Sequence, residues 1–459
     1  MEKAWSGRFK RSESKIMEEF TSSLDVDYKL YKEDITGSKA HVEMLAKIKL
    51  ITDKEKKDIL EGLRKIGKEI EEGLIEFHDE DEDIHMVIEK RLTELIGDTG
   101  MKLHTARSRN DQINIDMRLF LKNAVMECKG FMKRLIERLL AKAEEHQDVI
   151  LPGFTHMQPS QPITLAFYYC AYIFQFLRDY DRLAELMKRV DVCTLGSGAF
   201  AGVNYKTDRD LLARELGMSA VSENAMDAVS DRDFIIEFLS ASSIIAMHMS
   251  RLNEEIILWA NPLFNFITID DRFATGSSIM PNKKNPDASE LIRGKTGRIY
   301  GNLVSLLVTM KSLPLAYNRD MQEDKLPLLD TIRDLQLSLR ILPEIIDTLI
   351  VNGEAMRGAC GKGYVQATDI ADYLVHKGLP FRSAHEIVGN IVLSCEERKK
   401  LFSDIPISDY KGFSPLFEED IYEYLELEKN IQNKQSYGST SFDSVKEQIK
   451  MAKDRLKKL

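Results

Sequence analysis

Only five cysteines occur in the 459 residues, Cys128, Cys170, Cys193, Cys360 and Cys395, an odd number, widely spaced and without a CxxC pair. That excludes a disulfide framework or a cysteine zinc cluster and is the usage expected of a protein kept in a reducing cytoplasm. An excess of positive charge is also missing. Against 74 Asp and Glu stand 64 Lys and Arg, a formal charge of −10 that argues against a nucleic-acid surface. No run of eighteen uncharged apolar residues is present, and the opening MEKAWSGRFKRSESK has no apolar stretch, so neither membrane spanning nor secretion is expected. GxGxxG after a strand, GxxxxGK[ST], HExxH and a GxSxG elbow are absent as well, which removes nucleotide, zinc and α/β-hydrolase readings.

What is present is a soluble globular composition, 43% hydrophobic and 30% charged, in a chain long enough for a large core. Glycine and proline are scarce over 111–147, 163–192, 230–260 and 326–350 and cluster around 152–162, 194–204 and 276–286. Long helices joined by tight loops follow, and strand alternation is short and rare, so the expected fold is all-α, a long-helix bundle. Ser230 or Asp231 is placed to cap the helix that follows, whose apolar residues occupy nearly every face, as in a buried helix. Three parts are expected: a charged N-terminal domain (1–105) whose acidic HDEDED run at 78–83 reads as solvated surface, a central bundle (106–357), and a smaller C-terminal helical domain (358–459).

A helix over 111–147 would be about 55 Å long, so the cluster before it (Ser108, Arg109, Asn110) and the one after it (Thr155, His156) could not share a site within one chain. Functional groups at both ends of a bundle make sense if subunits pack antiparallel, each completing another's site. A homo-oligomer with composite sites is therefore expected.

Four loops carry the chemistry. FATGSSIMPNKKNPDASE (273–290) holds Ser277, Ser278, Lys283, Lys284 and Asn285 before a helix, with Asn285 expected as N-cap and Pro286 as first helical residue. Backbone N–H groups at such a terminus suit a carboxylate or developing negative charge, although a solvated turn would explain Lys and Asn equally well. In GFTHMQPSQP (153–162), His156 between Thr155 and Gln158 is either a structural histidine or one that titrates near neutrality. HTARSRNDQ (104–112) sets Arg107 and Arg109 around Ser108 at a helix start, a pattern shared by anion-binding turns and surface Arg–Asp pairs. AYNRDMQEDK (316–325) brings Tyr317, Gln322 and Lys325, by themselves an ordinary polar linker.

Taken together, these stretches resemble the fumarase/aspartase superfamily. GSSIMPNKKNP matches its signature SSxMPxKxN from Ser277 to Asn285. The likeness is greatest to the argininosuccinate lyase family: WSGRF, FTSSLDVDYKLYKEDITGSKAH, DEDIHMVIEKRL, KLHTARSRNDQ, FTHMQPSQP, LGSGAFAG, MDAVSDRDFIIEFL, GSSIMPNKKNPDASELIRGK and AYNRDMQEDK fall in the family's order over about residues 4–390. Two positions depart from it, Ala106 where the family usually has Gly and Asn282 where it usually has Gln.

The resemblance implies an all-α enzyme, without cofactor or metal, that eliminates fumarate from argininosuccinate to leave arginine, a step of arginine biosynthesis, as a cytoplasmic homotetramer with shared sites. It implies that Ser277 removes the proton, Lys283 and Asn285 steady the resulting carboxylate dianion, and His156 with Glu290 serves the acid side. Ser23, Ser108, Arg109, Asn110 and Thr155 match positions that contact the fumaryl carboxylates or substrate backbone, and Tyr317, Gln322 and Lys325 match those for the argininyl part. His85 matches a position near the site. An adenylosuccinate lyase would need a nucleotide phosphate site that is not evident, and a fumarase usually lacks the YNRDMQEDK block. A non-catalytic, crystallin-like scaffold would not need Ser277, Lys283, His156 and Glu290 together.

Overall fold

A computed structural model describes residues 13–78 and 81–459. The WSGRF motif and two residues of the acidic run lie outside the described residues. Helix dominates. After α1 (Tyr31–Lys47), α2 (Asp53–Glu71) and α3 (Ile84–Ile96) come five long helices: α4 (Arg109–Glu145), α5 (Leu165–Val190), α6 (Asp233–Ala260), α7 (Asp287–Met310) and α8 (Lys325–Thr348). The C-terminal segment carries α9 (Ala367–His376), α10 (Phe381–Arg398) and, last, α11 (Phe442–Leu456), with short helices between the last two.

Contacts divide the chain into two compact units. One comprises the described residues up to Cys128 with Arg182–Ser243 and Arg298–Asp334, and the other Lys129–Asp181, Ile244–Gly297 and Leu335–Leu459. In the first, α1 to α3 close an apolar core around Leu45, Ile59, Leu63, Ile88 and Leu92. Helix α2 starts on a capping box, Thr52 with Glu55, which satisfies two otherwise unpaired N–H groups. In the second, α9 and α10 pack Ile370, Leu374, Val388 and Ile391 with Phe417 and Tyr410.

The long helices form where Gly and Pro are scarce, and α4 runs unbroken for 37 residues, about 55 Å. Asp231 caps α6, accepting from the Asp233 N–H at 2.6 Å. One face of α6 is buried and only Asp233, Ser240 and Arg251 are exposed, so the expectation of all-round burial holds for part of its circumference.

Two local expectations are corrected. GFTHMQPSQP is not a free loop but the tip of an antiparallel hairpin, β1 (Ile150–Thr155) with β2 (Gln158–Thr164). Its turn residues His156 and Met157 have φ of +54° and +60°, the twist a two-residue hairpin requires. The described part of the acidic run is not a uniformly solvated face: Asp81 and Asp83 are buried, Asp81 held by the His78 N–H and Lys90, and Asp83 capping α3 through the Met86 N–H at 2.7 Å.

Candidate active site

Within the first unit a cavity of about 470 Å³ brings together six of the residues expected from sequence: Ser23, Arg109, Asn110, Tyr317, Gln322 and Lys325. They come from three stretches far apart in the chain, and local bonding explains how each is held. The Ser23 N–H donates to the Glu82 carbonyl at 2.9 Å and the Ser23 hydroxyl to Asp27 at 2.5 Å. Arg319 reaches Glu82 at 2.8 Å and the Thr21 carbonyl at 2.6 Å, and Gln322 donates to that same carbonyl at 3.3 Å. Residues 21–23, 82–83 and 319–322 are thereby tied into one wall.

Arg109, first residue of α4, donates through Nε to Asp83 at 3.0 Å and through Nη1 to Gln112 at 2.9 Å. Its partner Asp83 was not among the residues expected from sequence, although an aspartate just before the apolar run IHMVI is an N-cap signal. Arg107, in contrast, turns inward. It is buried and bonds Ser38 at 2.8 Å; against the opposing effect of burial, His85 foremost and then Arg107 and Gln112 hold the Asp34 carboxyl down at about 2. The two arginines of this turn therefore divide: Arg107 is structural and Arg109 faces the cavity.

Lys325 is 2% exposed, and its ammonium lies 3.3 Å from Asp324. Asp324 is itself fully buried and also pairs with Arg232. Burial opposes ionisation of Asp324, but the adjoining Lys325 and Arg232 charges outweigh it and lower its pKa. Burial raises the Tyr317 pKa, so its phenol stays protonated at neutral pH and can donate. The cavity thus offers three cations, Arg109, Arg319 and Lys325, two amides, Asn110 and Gln322, and a phenol, with Glu82, Asp83 and Glu89 at its wall. That is a recess for a small polar molecule bearing both carboxylate and cationic groups.

Of the other candidates, Ser108 belongs to the first unit, and Thr155, His156, Ser277, Lys283, Asn285 and Glu290 belong to the second. Ser108, next to the first cavity but not lining it, receives the Asn110 N–H at 3.3 Å on its hydroxyl. Thr155 and His156 sit exposed at the hairpin tip. Ser277 to Asn285 form a loop closed at its base by Thr275 and Asn285, which exchange backbone bonds of 3.1 and 2.7 Å. The half-buried Ser277 hydroxyl accepts from the Met280 N–H at 3.1 Å, and Asn285 donates to the Gly276 carbonyl at 3.3 Å. Lys283 is exposed, while Lys284 pairs with Asp271 at 2.6 Å.

Helix α7 begins at Asp287, one residue later than expected, so Pro286 stands at the cap and its carbonyl accepts from the Glu290 N–H at 3.1 Å. Ile279 is 83% and Met280 45% exposed at the tip of this loop. Among the described residues, no hydrogen bond or ion pair joins His156 to Glu290 or to Ser277.

Comparison with known proteins places these features in a family. Residues 7–301 match the family model described as Lyase, and residues 364–432 match that of the argininosuccinate lyase C-terminal segment. The argininosuccinate lyase of Alkaliphilus metalliredigens is 51% identical over 96% of both chains, and that of Heliobacterium mobile 49% over 99% of both. Among solved structures, EDDS lyase in complex with formate superposes with a TM-score of 0.86 at 26% identity over 97% of this chain and 90% of its own. The class II fumarase of Schistosoma mansoni shares the fold, with a TM-score of 0.79 at 17% identity over 92% and 95%. A mostly helical fold, a lyase match over residues 7–301 and near full-length relatives at half identity leave one assignment: the chain belongs to the argininosuccinate lyase family and is a carbon–nitrogen lyase.

Proposed function

We propose that this enzyme cleaves argininosuccinate to fumarate and arginine, at a site made of the first unit's cavity from one subunit and the Ser277 loop and His156 hairpin from others. The convergence of Ser23, Arg109, Asn110, Tyr317, Gln322 and Lys325 on one cavity carries this reading. Arg109, Asn110, Ser23, Ser108 and Thr155 hold the succinyl carboxylates and substrate backbone, and Arg109 supplies the bidentate geometry that lysine lacks. Tyr317, Gln322 and Lys325 hold the argininyl end.

The reaction removes a proton next to a carboxylate and then expels the guanidino nitrogen of arginine. Because that proton is weakly acidic, the carboxylate must take up a second negative charge in passing, and stabilising it is the main catalytic task. Lys283 and Asn285, beside the α7 N-terminus, do this by charge and hydrogen bonding. Ser277 removes the proton. A free serine is far too weak a base, so cationic surroundings and loop closure over the substrate must lower its pKa. The exposed Ile279 and Met280 give the loop an apolar tip to bury on closing. His156, oriented by Glu290, protonates the departing nitrogen.

Because α4 separates Arg109 from the chain following Glu145 by about 55 Å, subunit sharing supplies the missing groups. Helix α7 carries apolar residues suited to a subunit interface: Leu291, Tyr300, Val304, Leu307 and Val308 are 42–63% exposed. A cytoplasmic homotetramer accommodates this sharing. Incubating the purified protein with argininosuccinate and following fumarate by ultraviolet absorbance tests the reading, and absence of fumarate release would refute it.

A further inference from the structure

The glycine-rich stretch LGSGAFAG has no part in the chemistry above, yet it bonds Asn110, which lines the cavity. Its link is Asp111, third residue of α4 and fully buried. Asp111 Oδ1 accepts the Ser108 N–H at 2.9 Å, which closes the N-terminus of α4 in the manner of a capping box. Asp111 Oδ2 faces the other way and accepts two N–H groups, Gly196 at 3.0 Å and Gly198 at 2.9 Å. Those two amides converge because Gly196 and Gly198 have φ of +91° and +65°, a left-handed backbone that other residues resist. A Cβ on Gly198 would also lie 2.8 Å from Val203 Cγ1 and 2.9 Å from the Gly202 carbonyl oxygen. The loop then returns the contact, since the Ala199 carbonyl accepts from Asn110 Nδ2 at 2.9 Å.

We infer that Asp111 is a positioning residue: its carboxylate fills the anion nest of the 196–198 backbone and so fixes the turn that aims Ser108, Arg109 and Asn110 at the substrate. One carboxylate holds both sides of the junction. The loop sets the Asn110 amide through Ala199, and the cap sets Ser108. Burial raises the Asp111 pKa, and the three N–H donors, with the Arg107 charge, work against that rise.

This rests on the proposed function, and the test separates the two. Asp111→Asn keeps the volume but turns an NH₂ toward N–H donors. A fall of about 100-fold in kcat/KM for argininosuccinate is expected, the scale of an ångström-sized misplacement. It should be carried mainly by KM, because a merely structural lesion lowers the amount of active enzyme, hence apparent kcat, and leaves KM alone. Deuterium uptake should rise together in peptides covering 105–111 and 194–204.

Gly198→Ala strikes the same junction from the loop side and should shift KM and uptake in the same way. The double variant should lose little more than the worse single one. Should Asp111→Asn fail to fold, Gly198→Ala carries the test alone. Unchanged KM in the folded variants, uptake confined to one of the two peptides, or fully additive losses would each overturn the inference. A wild-type enzyme that releases no fumarate would instead refute the proposed function, while the coupled uptake would still decide the role of Asp111.

Discussion

Replacing Asp324 with asparagine removes the counter-charge of two buried cations. Arg232 and Lys325 side chains are 1% and 3% exposed, and Asp324 is 0% exposed between them. At the 3.3 Å separation of Lys325 from Asp324, the attraction is about 5 kcal/mol at an effective dielectric of 20. Desolvation offsets much of that in the intact pair, but removing one partner leaves the other charge buried and uncompensated, at a typical cost of about 3–5 kcal/mol. Arg232 keeps carbonyl acceptors, Asp231 at 2.7 Å and Val229 at 3.4 Å, which softens its loss. Among the described residues, the Lys325 ammonium bonds Asp324 and has no carbonyl substitute. We therefore expect Asp324→Asn to lower unfolding free energy by about 3 kcal/mol at pH 7.

The pH dependence has a definite sign. The folded pKa of Asp324 lies below its ordinary 3.8, so its stabilisation is present above that value and is lost as pH falls through the folded pKa. Urea denaturation of both proteins at one matched concentration should show the difference in full at pH 5–8 and shrinking below about pH 4. Activity should fall with it, because Lys325 lines the cavity. A destabilisation below about 1 kcal/mol, or a gap that does not change with pH, would refute the reasoning.

Three further outcomes are expected. Ser277→Ala should abolish fumarate release while substrate binding by calorimetry and helicity by circular dichroism persist, and an active variant would overturn the base assignment. Ala106 has φ of +60°, a conformation costing a non-glycine residue about 1 kcal/mol, so Ala106→Gly should raise stability by up to that amount in thermal melts; a loss would mean that the methyl's packing on the N-terminal core dominates. His41 is buried, with its pKa pushed down to about 3 by desolvation, and its Nε2 lies 2.8 Å from the Thr105 carbonyl. Unfolding exposes it to protonation, so its contribution is full above its ordinary 6.5 and is lost as pH falls from there towards 3. His41→Gln should flatten that limb of the stability–pH curve, and an unchanged slope would contradict this.

The helical architecture was legible because long glycine-poor, proline-poor segments have little alternative to helix, and α4, α5, α6 and α8 fall close to the expected spans. The His156 hairpin was not. Three prolines and two turn residues at positive φ mask the strand pattern, although Ile150, Leu151, Pro162 and Thr164 are buried in the paired strands. Asp83, Asp111 and Asp324 were hidden in the sequence for a related reason. Asp83 lies within an acidic run, Asp111 and Asp324 lie beside Asn110 and Lys325, and the importance of each comes from partners remote in the chain, Arg109, Gly196 with Gly198, and Arg232. Arg107 and Arg109 were alike as letters and separable only by burial. The strain at Ala106 gives one departure from the family a physical meaning; the exposed Asn282 makes no contact that explains the other.

The central claim is that the cavity of one subunit is completed by the Ser277 loop of another. Mixing inactive Ser277→Ala with inactive Asn110→Ala, dissociating and reassociating them, tests it directly. With random exchange at equal amounts, a site drawing its cavity and its loop from different subunits is intact in about a quarter of cases, so about that share of activity should return. No recovery after verified subunit exchange would contradict the account.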